Sequence, residues 1–218
     1  MLTSDPARRP DRRSEERGSF ILYVEGPRDR SILRAWAHRL MPEEAPDLLA
    51  GAVILGGRRP ARALEHFRAR AAGSHALCVL DRDGDAASSP DAEAGLQFFT
   101  WGRRHIESYL LVPNAIRRAL ALSPGDHRLE AVLDRELPSP DDANGWRALD
   151  AKRLLAERGL LSRVLGRALP LARIARATRE DELHADVHDM FAALREVLAR
   201  VVPPRARRSG RSVPRRRR

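Results

Sequence analysis

Four carboxylates in this sequence have the type and spacing to work together: Glu25, Asp29, Asp81 and Asp83. Asp81-Arg82-Asp83-Gly84-Asp85 follows directly on the apolar run Ala76-Leu77-Cys78-Val79-Leu80. Glu25-Gly26-Pro27 likewise follows on Phe20-Ile21-Leu22-Tyr23-Val24. Apolar runs of this length fit strands buried on both faces, as in a parallel sheet covered by helices. In open sheets of that kind ligands collect beyond the carboxyl ends of the strands. Two strand ends would therefore bring acids to the place where such folds do chemistry, with Asp29 one helical turn beyond Glu25. Carboxylate oxygens are natural ligands of Mg²⁺ and Mn²⁺. Several unpaired acids at one sheet edge repel one another unless a cation neutralises them. Two plainer readings stand beside a metal site: a polar turn, to whose shape Gly84 and Asp85 contribute, and neutralisation of the acids by Arg28, Arg30 and Arg82.

These residues need strands and helices to position them, and the pattern supplies both. After the first strand, Pro27 suits the first position of a helix, and Ile32, Leu33, Trp36 and Leu40 recur at helical spacing before Pro42. Ala52-Val53-Ile54-Leu55 reads as a second strand closed by Gly56-Gly57, and a helix over about 60–72 carries Leu64 and Phe67 on one face. The strand 75–80 is the third, and Leu96 to Trp101 the fourth. Strands alternating with helices predict an α/β fold with a four-stranded, mainly parallel sheet flanked by helices. From Arg103 onward the pattern is helical, with helices over about 113–122, 126–136, 145–158, 166–177 and 180–201. The last carries Leu183, Val187, Met190, Phe191, Leu194, Val197, Leu198 and Val201 as one stripe, read as core ahead of a partner-binding face. The expected organisation is a flexible arm (1–18), an α/β domain (19–111), a helical extension packed on it (112–202) and a disordered Arg-rich tail (203–218).

Bulk properties narrow the functional classes. The net charge is +10, and the last 16 residues hold eight arginines and no acid, which leaves about +2 for the rest. Arg215, Arg216, Arg217 and Arg218 end that tail and could contact nucleic-acid phosphates. Cys78 is the single cysteine, so no disulfide forms within the chain, and its place in an apolar run makes it a core residue. The first 19 residues lack the apolar core of a signal peptide, and no window approaches a membrane span, so a cytoplasmic protein without a membrane partner is expected. Lys152 is the single lysine among 40 basic residues.

The order Val24-Glu25-Gly26, then Asp81-Arg82-Asp83, resembles the Toprim domain of topoisomerases, bacterial primases and several nucleases. Val24-Glu25-Gly26-Pro27-Arg28-Asp29 and Arg104-His105-Ile106-Glu107-Ser108-Tyr109-Leu110-Leu111 are similar, more specifically, to the OLD-family (overcoming lysogenisation defect) nucleases. The resemblance spans roughly residues 19–200. It implies a Toprim-like Rossmannoid sheet and a Mg²⁺- or Mn²⁺-dependent endonuclease, acting on DNA ahead of RNA. It implies metal ligation by Glu25, Asp29, Asp81, Asp83 and Glu107, with Glu25 and Lys152 in catalytic roles. Two ions roughly 3.5–4 Å apart would activate water and stabilise the leaving oxygen. Arg103 and Arg104 could bind phosphates, and His105 could move protons, with a packing role for His105 as the stronger reading. OLD proteins carry an ATPase domain, whereas this sequence lacks a Gly-x-x-x-x-Gly-Lys-[Ser/Thr] loop, so a separately encoded ATPase partner is expected. Phage defence is the biological role the resemblance implies.

Two rivals remain open on the sequence. Asp81-x-Asp83-Gly84 after a strand also matches the first motif of haloacid-dehalogenase-like phosphatases, with Asp81 as nucleophile and Asp83 as general acid. That motif normally opens the sheet; here two strands precede it and Asp85 stands where Thr is expected. The other rival is a non-catalytic module that binds nucleic acid or a partner protein.

Overall fold

The structure, a computed structural model, describes residues 19–44, 51–70, 73–82 and 93–201. The expected arm, the tail with Arg215 to Arg218, and Asp83, Gly84 and Asp85 lie outside the described residues.

Four strands form one sheet: β1 (Phe20–Val24), β2 (Val53–Ile54), β3 (His75–Leu80) and β4 (Leu96–Thr100). Their order is β2-β1-β3-β4 and every pairing is parallel. Helix α1 (Pro27–Leu40) links β1 to β2, and α2 (Pro60–Arg68) links β2 to β3. The chain thus steps outward from β1 to β2, returns past β1 to β3, and continues outward to β4. The strand order reverses between β1 and β3, the switch point at which open α/β sheets bind ligands.

The alternating strand side chains divide the sheet into two faces. Ile21, Tyr23, Ala76, Cys78 and Leu80 pack with Ala63 and Phe67 of α2 in one apolar cluster, and Cys78 is buried there as expected. Leu22, Val24, Leu77 and Val79 join Ile32, Leu33 and Trp36 of α1 in the other. That second cluster runs on without a break through the helices after the sheet. They comprise a 3₁₀ turn (Ile106–Leu110), α3 (Pro113–Leu120), α4 (Arg128–Glu136), α5 (Ala143–Ala148), α6 (Ala151–Leu154), α7 (Leu160–Leu165), α8 (Leu171–Ala177), a 3₁₀ turn (Glu180–Glu182) and α9 (Ala185–Val201). Helix α9 lies against β1, β3 and β4, and Val187, Met190, Phe191, Leu194 and Val197 are buried. Its stripe is core, although Leu198 and Val201 are half-buried and Leu183 precedes the helix.

Two expected helices break, each for a local reason. The run over 145–158 divides because Asp150 caps a new helix, its carboxylate accepting the Arg153 N–H at 2.9 Å, while Leu149 turns extended. Asp142 caps α5 in the same way through the Gly145 N–H at 2.8 Å. The run near 166–177 starts later, because Gly166 ends α7 in the left-handed conformation and Pro170 precedes α8. The stretch after Arg103, expected to be helical, is a single 3₁₀ turn whose preceding residue, His105, is extended. No helix among the described residues is long and apolar enough to cross a membrane.

Candidate functional site

The exits of β1 and β3 sit side by side, and their side chains interlock there. Backbone N–H groups of Gly56 and Gly57 hold the Glu25 carbonyl at 2.9 and 3.0 Å. The Glu25 side chain reaches across the switch point, and its Oε1 accepts the Asp81 N–H at 2.8 Å. Asp81 Oδ1 accepts the Ile106 N–H at 2.9 Å, which draws the 3₁₀ turn and its Glu107 to the same edge. Lys152 Nζ lies 2.5 Å from Asp81 Oδ2. Glu25, Asp81 and Glu107 are 7%, 2% and 1% exposed, so three nearly dry carboxylates stand at this edge, one of them paired with the Lys152 ammonium. The break at Asp150 matters here: it starts α6 afresh against the 3₁₀ turn and sets Lys152 beside Asp81.

Electrostatics follow from that burial. Burial pushes the Glu107 carboxyl above the usual carboxylate range, and the Asp81 and Asp29 carboxylates push it further. Among the described residues, Glu107 Oε2 is buried without a hydrogen-bond partner, and Oε1 meets only the half-exposed Arg28 guanidinium at 3.5 Å. Asp29 is pushed up to about 6 by burial and by the Asp81 carboxylate. Its Oδ2 accepts the Gly26 N–H at 2.7 Å, so the same carboxylate also caps α1. Burial alone would lower the Lys152 ammonium; the hydrogen bond to Asp81 and the charges of Asp81, Glu107 and Asp29 raise it above its ordinary value instead. His105 is 5% exposed, and burial, reinforced by Lys152, lowers its pKa and keeps the ring neutral.

Of the three arginines that could have neutralised the acids, only Arg28 touches one among the described residues. Arg82 Nε donates to the Trp101 carbonyl at 3.0 Å, which ties β3 to β4. Arg58 Nε donates to the Asp81 carbonyl at 3.0 Å; sequence periodicity gives no signal for that contact. Arg103 and Arg104 do not extend freely towards a ligand. The Arg103 guanidinium lies 3.6 Å from the centre of the Trp146 ring and donates to the Ser108 carbonyl at 3.1 Å. Arg104 donates to the Ala148 carbonyl at 3.2 Å. Both brace the loop that carries Glu107. Sequence reasoning missed this bracing because the partners are main-chain carbonyls and a ring distant in sequence.

The donor chemistry, hard oxygens with one unpartnered buried atom, suits a divalent cation such as Mg²⁺ or Mn²⁺. Among the described residues, which do not include Asp83, no group of three or more His, Cys, Asp or Glu side chains is placed to hold a metal ion. Lys152 supplies the local positive charge.

Fold and site together define a parallel α/β protein with an acidic cluster at its switch point. No protein-family model matches the chain, and no curated protein is similar in sequence. Its structure is similar to the C-terminal region of the Burkholderia pseudomallei OLD protein, with 17% identity and a TM-score of 0.48, over 84% of this chain and 99% of that one. It is also similar to the C-terminal region of the Xanthomonas campestris pv. campestris OLD protein, with 16% identity and a TM-score of 0.47, over 84% and 96% of the two chains.

Proposed function

We propose that the chain is a metal-dependent nuclease that hydrolyses phosphodiesters in DNA, with RNA as the second candidate substrate. The observation that carries the reading is Glu107: a carboxylate 1% exposed, with one oxygen unpartnered, beside Asp81 at the sheet's switch point. A buried carboxylate held by a single 3.5 Å contact to Arg28 is poorly compensated for leaving water, and a proton or a cation at its other oxygen would offset that cost. Glu25, Asp81 and Glu107 are the residues that would hold Mg²⁺ or Mn²⁺, joined by Asp29 and by Asp83, the other half of the Asp-x-Asp motif. Bound divalent ions supply Lewis acidity and a water of lowered pKa. Glu25 orients the β3 exit through the Asp81 N–H. Lys152 keeps its ammonium at the edge of the cluster, 38% exposed, where it can meet a substrate phosphate.

Glu107→Gln and Asp81→Asn test the reading. Each should lower Mn²⁺- or Mg²⁺-dependent cleavage of plasmid DNA by about a hundredfold or more, since outer-shell partners of metal ligands alone are worth 10- to 100-fold. Equal cleavage by wild type and either variant would refute the site.

One observation favours a second reading, a non-catalytic module that works with a separately encoded ATPase. The Lys152–Asp81 ion pair already neutralises part of the cluster without metal. In that case the chain binds no divalent ion at millimolar concentration, and calorimetric titration with Mn²⁺ shows no heat.

A further inference from the structure

A groove of about 680 Å³ opens where α4 ends, between the Leu149-Asp150 break, α6 and the start of α7. Arg153, Arg158 and Arg163 line it, and all three are exposed. They stand on three successive segments: α6, the turn after it, and α7. None of the three side chains makes a hydrogen bond or ion pair among the described residues. Nearby helices treat arginine differently: Arg117, Arg118 and Arg128 are each tied to an acid, Glu130, Glu182 and Asp126. The two acids in the groove do not cancel the three charges. Glu136 is already paired with Arg135 at 2.8 Å, and Asp150 accepts the Arg153 N–H as a helix cap. Leu154 and Leu160 add an apolar wall.

We infer that this groove is a binding track for the phosphodiester backbone of a nucleic-acid strand. Guanidinium forks match phosphate oxygens in pairs, and a strand can rest its sugars and bases on the apolar wall. The three cations stand on three successive segments of the groove's lining, so each can meet a phosphate of a strand laid along it. The groove and the acidic cluster share α6: Lys152 stands beside Asp81 and its neighbour Arg153 lines the groove. The inference deepens the nuclease reading, because the track would hold the strand that the site cuts. Its test reads binding alone and does not depend on cleavage.

The experiment measures fluorescence anisotropy of a labelled single-stranded 20-mer with the full chain, in chelator, from 0.05 to 0.2 M salt. Three lost phosphate contacts on a single strand should reduce the slope of log affinity against log salt by about 2, a weakening of about a hundredfold at 0.1 M. That loss is expected for R153E/R158E/R163E, and a smaller loss of the same kind for R153Q/R158Q/R163Q. The charge-matched triple R34E/R173E/R176E, at exposed arginines outside the groove, should bind within about threefold of wild type. Thermal midpoints within a few degrees of wild type keep the comparison one of folded proteins. Unchanged affinity in the groove variants, or equal losses in both triples, overturns the track. Displacement of the oligonucleotide by polyglutamate as readily as by unlabelled oligonucleotide also overturns it, and points to an acidic protein instead. If the groove variants lose binding while wild type never cleaves DNA, the track stands and the nuclease reading falls.

Discussion

Asp29 does two jobs with one carboxylate. It caps α1 through the Gly26 N–H, and it adds negative charge to a cluster in which Asp81 and burial have already raised its pKa to about 6. A folded-state value above the ordinary 3.8 means that the folded protein holds this proton more tightly than the unfolded chain does. The associated stability is present below about pH 4 and is lost as pH rises through about 6. Asp29→Asn keeps an oxygen to cap the helix and removes the titration. In chelator, the thermal midpoint of the variant relative to wild type should rise between pH 4 and 6 and then level off. A difference that stays flat over that range would show that Asp29 does not titrate as its surroundings imply. Glu107 shifts in the same direction, in part through the Asp29 charge, so removing that charge eases Glu107 as well and acts in the same sense on the difference.

The 3₁₀ turn Ile106–Leu110 is the element on which the site depends, and a polar knot behind it holds it in place. Asp186, at the start of α9, accepts the Gly102 N–H at 3.1 Å and a short hydrogen bond from the Tyr109 hydroxyl. The Tyr109 hydroxyl in turn accepts the Arg103 N–H at 2.9 Å. A Cβ at Gly102 would stand 2.4 Å from Asp186 Oδ2, so a side chain there displaces that carboxylate. Gly102→Ala should therefore push the Asp186 carboxylate away from both donors. Leaving such buried groups unsatisfied costs about 1–3 kcal/mol, which a denaturant melt would measure. A loss below about 0.5 kcal/mol would mean that the knot does not hold the turn.

At the scale of the whole molecule, the helical extension completes the fold. Phe191 and Leu194 of α9 belong to the same apolar cluster as Leu22, Val24, Leu77 and Val79 of the sheet. Phe191 is 1% exposed, so Phe191→Ala leaves a cavity beneath the strands whose ends carry Glu25 and Asp81. The expected loss is about 3–5 kcal/mol in equilibrium unfolding. The two-state transition should stay single, because sheet and extension share one core. Two separate transitions would show instead that residues up to 111 fold on their own.

Strand ends and their acids were legible in the residue order, because an apolar run that stops at a carboxylate declares both a buried strand and its exit. Val24-Glu25 and Leu80-Asp81 show this directly, and so does the alternation that places four strands in a parallel sheet. The apolar stripe of α9 was equally plain, since helical period survives in a linear chain. What the order of residues could not convey is which side chains meet across large sequence gaps. Lys152 reaches Asp81 across 71 positions only because Asp150 stops one helix and caps the next. Side-chain capping competes with helical periodicity and leaves no trace in it. The inward turn of Arg103, the unpartnered oxygen of Glu107 and the three unpaired arginines of the groove are likewise matters of tertiary contact. Burial and pairing depend on what the rest of the chain places nearby, and that is decided when the sheet and the helices pack.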